Sequence, residues 1–114
     1  MKIQLMSDLH LEVDPDFVPQ AAPDADVLVL AGDIGAAPGS PMGAHGRPDG
    51  CLSRFAGWPV PVLYLPGNHE YDGQDFDECR AALREAAESA GLTWLEQQAH
   101  VLGGVRFVGT TLWT

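Results

Sequence analysis

The sequence predicts an α/β fold built on a largely parallel sheet, and three observations carry that reading. Continuous apolar runs recur at Ile3–Met6, Val27–Ala31 and 60–65. Long segments separate them, as parallel strands require for their crossovers. One segment, 75–90, carries a clear helical period of apolar residues, so strands alternate with crossover material along the chain.

Each element has its own local reason. Ile3–Met6 is a short strand that runs into the polar Ser7-Asp8-Leu9-His10. Residues 14–23 hold three prolines with acids between them, which predicts a loop with a turn of helix around Phe17. Val27–Ala31 is apolar at every position, as suits a strand covered on both faces. Residues 36–50 are rich in glycine and proline and too long for a simple connection, so this loop is expected to serve function or to move. The 60–65 strand tolerates Pro61 near its start and ends at Pro66-Gly67.

The helix over 75–90 has Asp75 as its cap, Glu78 three residues on and Gly91 as its stop. Phe76, Cys79, Leu83, Ala86, Ala87 and Ala90 form its apolar stripe, which makes Cys79 a core residue. Short strands follow at 93–95 and 100–102, and Gly103-Gly104 turns the chain into a return strand over 105–111.

Composition bounds the function. At 114 residues the chain holds enough material for one modest core, a single domain over 1–114. A net charge of -10 from 6 Lys+Arg and 16 Asp+Glu, with the basic residues scattered from Lys2 to Arg106, leaves no nucleic-acid surface. No apolar run approaches the ~20 residues that span a bilayer, and Met1-Lys2-Ile3 enters a strand with no signal-peptide core. Cys51 and Cys79 form no CxxC pair. The expectation is a reduced, cytoplasmic protein with no membrane role.

Three polar clusters close the three strand candidates: Asp8-Leu9-His10, Gly32-Asp33 and Gly67-Asn68-His69-Glu70. In an open α/β sheet these positions share the carboxyl edge, where ligands bind. Asp8 and His10, one residue apart, point to the same side if the segment is extended, within reach of one cation; alone, they equally make a hydrogen-bonded loop pair. Asp33 projects from the edge of a buried strand, a place that also suits a cap or a turn. Asn68 and His69 offer an amide oxygen and an imidazole, or simply a β-turn. Taken together they are a mixed N/O donor set for divalent transition metals. A carboxylate between two such ions bridges them at the ~3.5–4 Å of two-metal hydrolysis.

These blocks, in this order and spacing, resemble the N-terminal signature of the calcineurin-like metallophosphoesterase superfamily, and 109–114 is similar to a strand of its compact bacterial members. The resemblance implies a β-sandwich flanked by helices, of which this chain supplies about the first half. It implies two divalent metal ions, Mn2+ before Fe, Zn2+, Ni2+ or Mg2+. Asp8 and His10 would ligate the first, Asp33 would bridge both, and Asn68 would ligate the second and touch the substrate. His69 would contact the phosphate and protonate the leaving oxygen. The implied reaction is hydrolysis of a small phosphomonoester or phosphodiester by metal-activated hydroxide.

The chain departs from the family pattern. A further ligand histidine and a Gly-His-x-His block are absent from the sequence, while His45 and His100 lie outside any such context. The second ion is therefore expected to bind weakly. The sequence halts in mid-pattern at Trp113-Thr114, so a C-terminal half or a homo-oligomer is expected to cover the face around 101–112. The alternative is a catalytically inactive scaffold or partner-binding module of the same fold. A Rossmann-type nucleotide site fits poorly, since Gly32-Asp33-Ile34-Gly35 lacks GxGxxG spacing and no helix follows at once.

Overall fold

A computed structural model describes residues 1–40 and 51–113. Four strands, β1 (Ile3–Met6), β2 (Val27–Ala31), β3 (Val62–Leu65) and β4 (Thr93–Trp94), form one parallel sheet in the order β1-β2-β3-β4. The register sets Ile3 beside Val27, Leu28 beside Val62 and Leu63 beside Thr93. All four strands run the same way, so the ends of β1, β2 and β3 meet along one edge. The fold is thus mixed α/β, as expected, with the parallel sheet at its centre.

Period-2 alternation divides the sheet into two faces. On one face Leu28, Leu30, Val62 and Tyr64 pack under helix α1 (Phe76–Ser89) and a 3-10 turn at Leu52–Phe55. Leu11, Ile34, Phe55 and Leu83 complete that core, each at most 1% exposed. On the other face Val27 and Leu63 pack with Leu95, and Leu102 and Phe107 of the hairpin β5 (Gln98–Leu102) and β6 (Val105–Gly109) lie against them. The hairpin is antiparallel, and its turn residues Gly103 and Gly104 have φ of 57° and 76°, the left-handed pair that a two-residue hairpin turn demands.

Several expectations are corrected. β3 starts at Val62, because Pro61 has no N–H to donate, although its carbonyl still accepts from Leu28 N at 2.9 Å. β4 ends at Trp94, β5 starts two residues earlier than expected, and β6 ends at Gly109. Around Phe17 there is a turn and no helix; Phe17 N reaches only Asp14 O, at 3.3 Å. The 3-10 turn at Leu52–Phe55 follows the 36–50 loop, in a segment for which the sequence predicts no element. Of the 36–50 segment, Ala36 and Ala37 are buried, while 41–50, with His45, lies outside the described residues.

Helix α1 keeps its expected limits, with Asp75 Oδ2 accepting from Glu78 N at 3.0 Å and Gly91 in the left-handed region. Its stripe is narrower than the sequence suggested. Cys79, Leu83 and Ala87 are buried, but Phe76 stands 46% exposed because it lies in the first turn, beyond the edge of the sheet core. Leu83→Ala should cost about 2–5 kcal/mol through the cavity it leaves. Asp75→Ala should cost about 1 kcal/mol through the lost cap. Urea unfolding followed by far-UV circular dichroism measures both, and equal losses would contradict this account of the helix.

Candidate metal centre

Asp8, His10 and Asp33 come together at the carboxyl edge of the sheet, where one donor atom from each lies within 4.8 Å of the others. The extended backbone expected for Asp8 and His10 is not what unites them. Asp8, His10 and Asp33 have φ of 56°, 47° and 53°, in the left-handed region, and Gly32 between the loops has 87°. Such conformations cost on the order of 1–3 kcal/mol for a non-glycine residue and persist only where surrounding bonds impose them.

The bonds are present. Asp8 N donates to Gly32 O at 3.0 Å, His10 N to Asp33 O at 3.0 Å and Leu11 N to Ile34 O at 2.9 Å, so the β1 and β2 loops stay paired beyond the strands. Leu11 and Ile34 are fully buried and anchor that pairing in the core.

Glu70 imposes the rest. Its side chain is 1% exposed, and four donors converge on it. Oε1 accepts from Asp33 N at 2.8 Å and Gly67 N at 2.9 Å. Oε2 accepts from Ile34 N at 3.2 Å and the Tyr64 hydroxyl at 3.0 Å. One carboxylate thus joins the loop after β2 to the loop after β3. Burial pushes its pKa up to about 7, against the lowering effect of the Gly67, Ile34 and Tyr64 donors.

The two loops touch so closely that only glycine fits. A Cβ on Gly67 would stand 2.3 Å from Asp33 Oδ1, and one on Gly32 2.9 Å from Gly67 Cα. The sequence places Glu70 at the end of a polar cluster and does not show its burial. The signal was a carboxylate three residues after the glycine that ends a strand, in the spacing of a capping box.

The histidines are each oriented by a carboxylate. His10 Nδ1 lies 3.0 Å from Glu12 Oε1 and its Nε2 lies 3.9 Å from Asp8 Oδ1. A proton on Nδ1 shared with Glu12 leaves the Nε2 lone pair turned toward the donor cluster, the arrangement by which carboxylates fix metal-ligand imidazoles. Glu12 was not singled out from the sequence, since its role depends on the reversal of the chain at His10.

Asn68 and His69 open a 3-10 turn, Asn68–Tyr71, where a plain β-turn was an alternative reading. Asn68 lines a cavity of about 560 Å³ together with Asp8, Asp33, Thr110 and Leu112. His69 N donates to Asp33 Oδ1 at 3.0 Å, and its ring stands edge-on to that of His10 at 5.4 Å between centroids. His69 Nδ1 lies 2.7 Å from Asp72 Oδ2. That bond, with the charge of Asp33 and of Asp72 itself, raises the His69 pKa above its ordinary value.

His100 sits in β5, away from this edge. Glu96, 4% exposed, ties the end of the hairpin to the site: it accepts from Thr111 N at 2.8 Å, while the Thr111 hydroxyl donates to Pro66 O at 2.8 Å.

The donor set fits a divalent cation: two carboxylates and one imidazole, with an amide side chain on the same cavity wall. Compared with protein-family models and with curated proteins, the chain matches none. No helix among the described residues is long and apolar enough to cross a membrane.

Glu70→Gln should destabilise the fold by about 2–4 kcal/mol, since an amide has one acceptor oxygen and turns N–H groups toward two of the four donors. The pH dependence has a definite sign. The folded pKa, about 7, exceeds the unfolded value, so the Glu70 contribution to stability is full below the unfolded pKa and is lost as pH rises through about 7. Urea midpoints at pH 5 and pH 8 in metal-free buffer should fall further in the native chain than in Glu70→Gln, which keeps only the smaller loss that the raised pKa of His69 brings.

Proposed function

We propose that the chain is the metal-binding part of a phosphoesterase of the calcineurin-like superfamily, acting on a small phosphomonoester or phosphodiester with divalent metal, Mn2+ first. The observation that carries the reading is the convergence of Asp8, His10 and Asp33 on left-handed backbone at the carboxyl edge of a parallel sheet. Strained residues clustered at one edge point to a site selected for chemistry. The parallel sheet under one helix layer, with an apolar hairpin started on its other face, is compatible with the first half of a β-sandwich.

Asp8 and His10 would hold the first ion, Asp33 would face both, and Asn68 would hold the second. When bound, such ions supply Lewis acidity and lower the pKa of water toward about 7.

The remaining work falls to this chain's own side chains. Glu12 holds the His10 ring so that its free nitrogen faces the centre. Glu70 and Gly67 hold Asp33 at the edge. His69, with Nδ1 on Asp72, carries any second proton on Nε2, from which it donates to a phosphate or leaving oxygen. Asp33 and Asn68 are the only described residues assigned to the second ion, which favours strong binding of one metal and weak binding of the other.

That imbalance also favours a second reading, an inactive module of the same fold that keeps one metal. Calorimetric titration with Mn2+ and turnover of an aryl phosphate separate the two. The phosphoesterase reading expects turnover that falls at least a hundredfold in Asp33→Asn. It also expects Glu12→Gln to weaken Mn2+ binding by about 10–100-fold. Turnover equal to that of Asp33→Asn, with one bound metal, would leave the inactive module.

A further inference from the structure

The Pro66–Gly67 peptide lies against the candidate metal centre and is held at both ends. Its N–H, on Gly67, donates to Glu70 Oε1 at 2.9 Å, and its C=O, on Pro66, accepts from the Thr111 hydroxyl at 2.8 Å. A peptide unit is planar, so bonds at its two opposite edges fix the orientation of the whole plane. The Gly67 backbone in turn lies so close to Asp33 that a Cβ on it would stand 2.3 Å from Asp33 Oδ1, and the same loop gives that oxygen the His69 N–H at 3.0 Å. The Asp33 carboxylate therefore takes its place from this loop.

Of the two pins, Glu70 is local, whereas Thr111 arrives from the chain just after β6, 45 positions from Pro66. Thr111 is itself set by Glu96, which is 4% exposed. Thr111 N donates to Glu96 Oε2 at 2.8 Å, and the Thr111 hydroxyl bridges that oxygen and the Pro66 carbonyl. The Thr110 hydroxyl donates to Glu96 Oε1 at 3.2 Å.

Fastening the hairpin does not explain this arrangement. Leu102 and Phe107 already pack it against the sheet, and Glu96 forms no ion pair among the described residues, so its burial is costly. The backbone here is strained as well: Gln97 has φ of 53°, and a Cβ on Gly109, the bridge partner of Glu96, would meet Leu65 and Leu95 at 2.8 Å. Strain kept at one corner directs attention to what the corner places. It places the cavity wall, since Gly109 and Thr110 line the cavity shared by Asp8, Asp33 and Asn68.

We propose that Thr111, held by Glu96, is a positioning residue of the candidate metal centre: it fixes the Pro66–Gly67 peptide and, through it, the Asp33 carboxylate. This inference rests on the reading of Asp33 as a metal ligand and assigns to the hairpin end a part in that same site. Thr111 touches no ion; it acts through the peptide.

Mn2+ titration by calorimetry is the first test. Thr111→Val removes the hydroxyl at nearly constant volume and should weaken Mn2+ binding about tenfold, as loss of an outer partner does at a metal site. Thr111→Ser keeps the hydroxyl and should bind like the native chain. A role confined to stability would leave the affinity of the folded chain untouched. Unchanged affinity in Thr111→Val therefore overturns the proposal, and so does equal weakening in Thr111→Ser, which would assign the loss to packing. Should Thr111→Val fail to fold, Glu96→Gln carries the same expectation and the same refutation, because its amide N–H groups disturb the bonds that set Thr111.

Amide hydrogen exchange in the metal-free chain is the second test, and it separates this inference from the metal reading. In Thr111→Val the Gly67 and Asp33 amides should exchange about tenfold faster, the worth of one hydrogen bond, while the strand amides of β2 and β3 stay as in the native chain. Acceleration spread evenly over all these amides overturns the positioning role. A native chain that binds no Mn2+ but shows the local acceleration refutes the metal reading and upholds the control of the Pro66–Gly67 peptide by Thr111.

Discussion

The Glu70 carboxylate is the interaction on which the site depends. It sits behind the candidate metal centre, buried, and binds the backbone of both loops that supply donors: Asp33 and Ile34 from the loop after β2, and Gly67 from the loop after β3. Tyr64 reaches it from within β3 and ties the arrangement to the sheet core. A carboxylate without a cationic partner is costly to bury, and burial raises its pKa even though four donors reduce that cost. The return on that cost is geometry. Asp33 is held in left-handed backbone with one oxygen already fixed by His69 N.

The same logic recurs outward. Glu12 orients His10, Asp72 orients His69, and Glu96 carries Thr111 to the carbonyl of Pro66. Four of the acids, Glu12, Glu70, Asp72 and Glu96, are therefore positional: their carboxylates hold the loops and rings that surround the candidate centre. A chain with few basic residues has little choice. Where it needs a strong acceptor to fix a loop, a carboxylate bonded to N–H groups supplies it.

The strands and the helix were legible because they depend on local patterns. Val27–Ala31 is apolar at every position, with Val27, Leu28 and Leu30 buried and Val29 and Ala31 half-buried, and Asp75 and Gly91 bound a helix by capping that acts over three or four residues. Strand limits near Pro61 and Gly109 were less legible, because pairing partners set them. Phe76 has the right spacing for the core and lies outside it, since periodicity marks a face of the helix and not how far the sheet beneath extends. Asp8, His10 and Asp33 could be named from their places after apolar runs. The conformation that joins them could not, because a left-handed φ at an aspartate or histidine is imposed by bonds from residues more than twenty positions away.

By itself, the sequence determined the class of the fold, the parallel run of its strands and the residue types collected at their ends, all consequences of apolar period and of short-range capping. Tertiary structure alone decided which of the sixteen acids became structural. Glu12 and Glu96 were not singled out in the chain and Glu70 was named only as part of a strand-end cluster; Glu70 and Glu96 become anchors through donors that arrive when separate loops meet, and Glu12 through the turn that brings it to His10. Burial and long-range hydrogen bonding are properties of the assembled neighbourhood, and the local sequence around these glutamates carries only the capping-box spacing of Gly67 and Glu70.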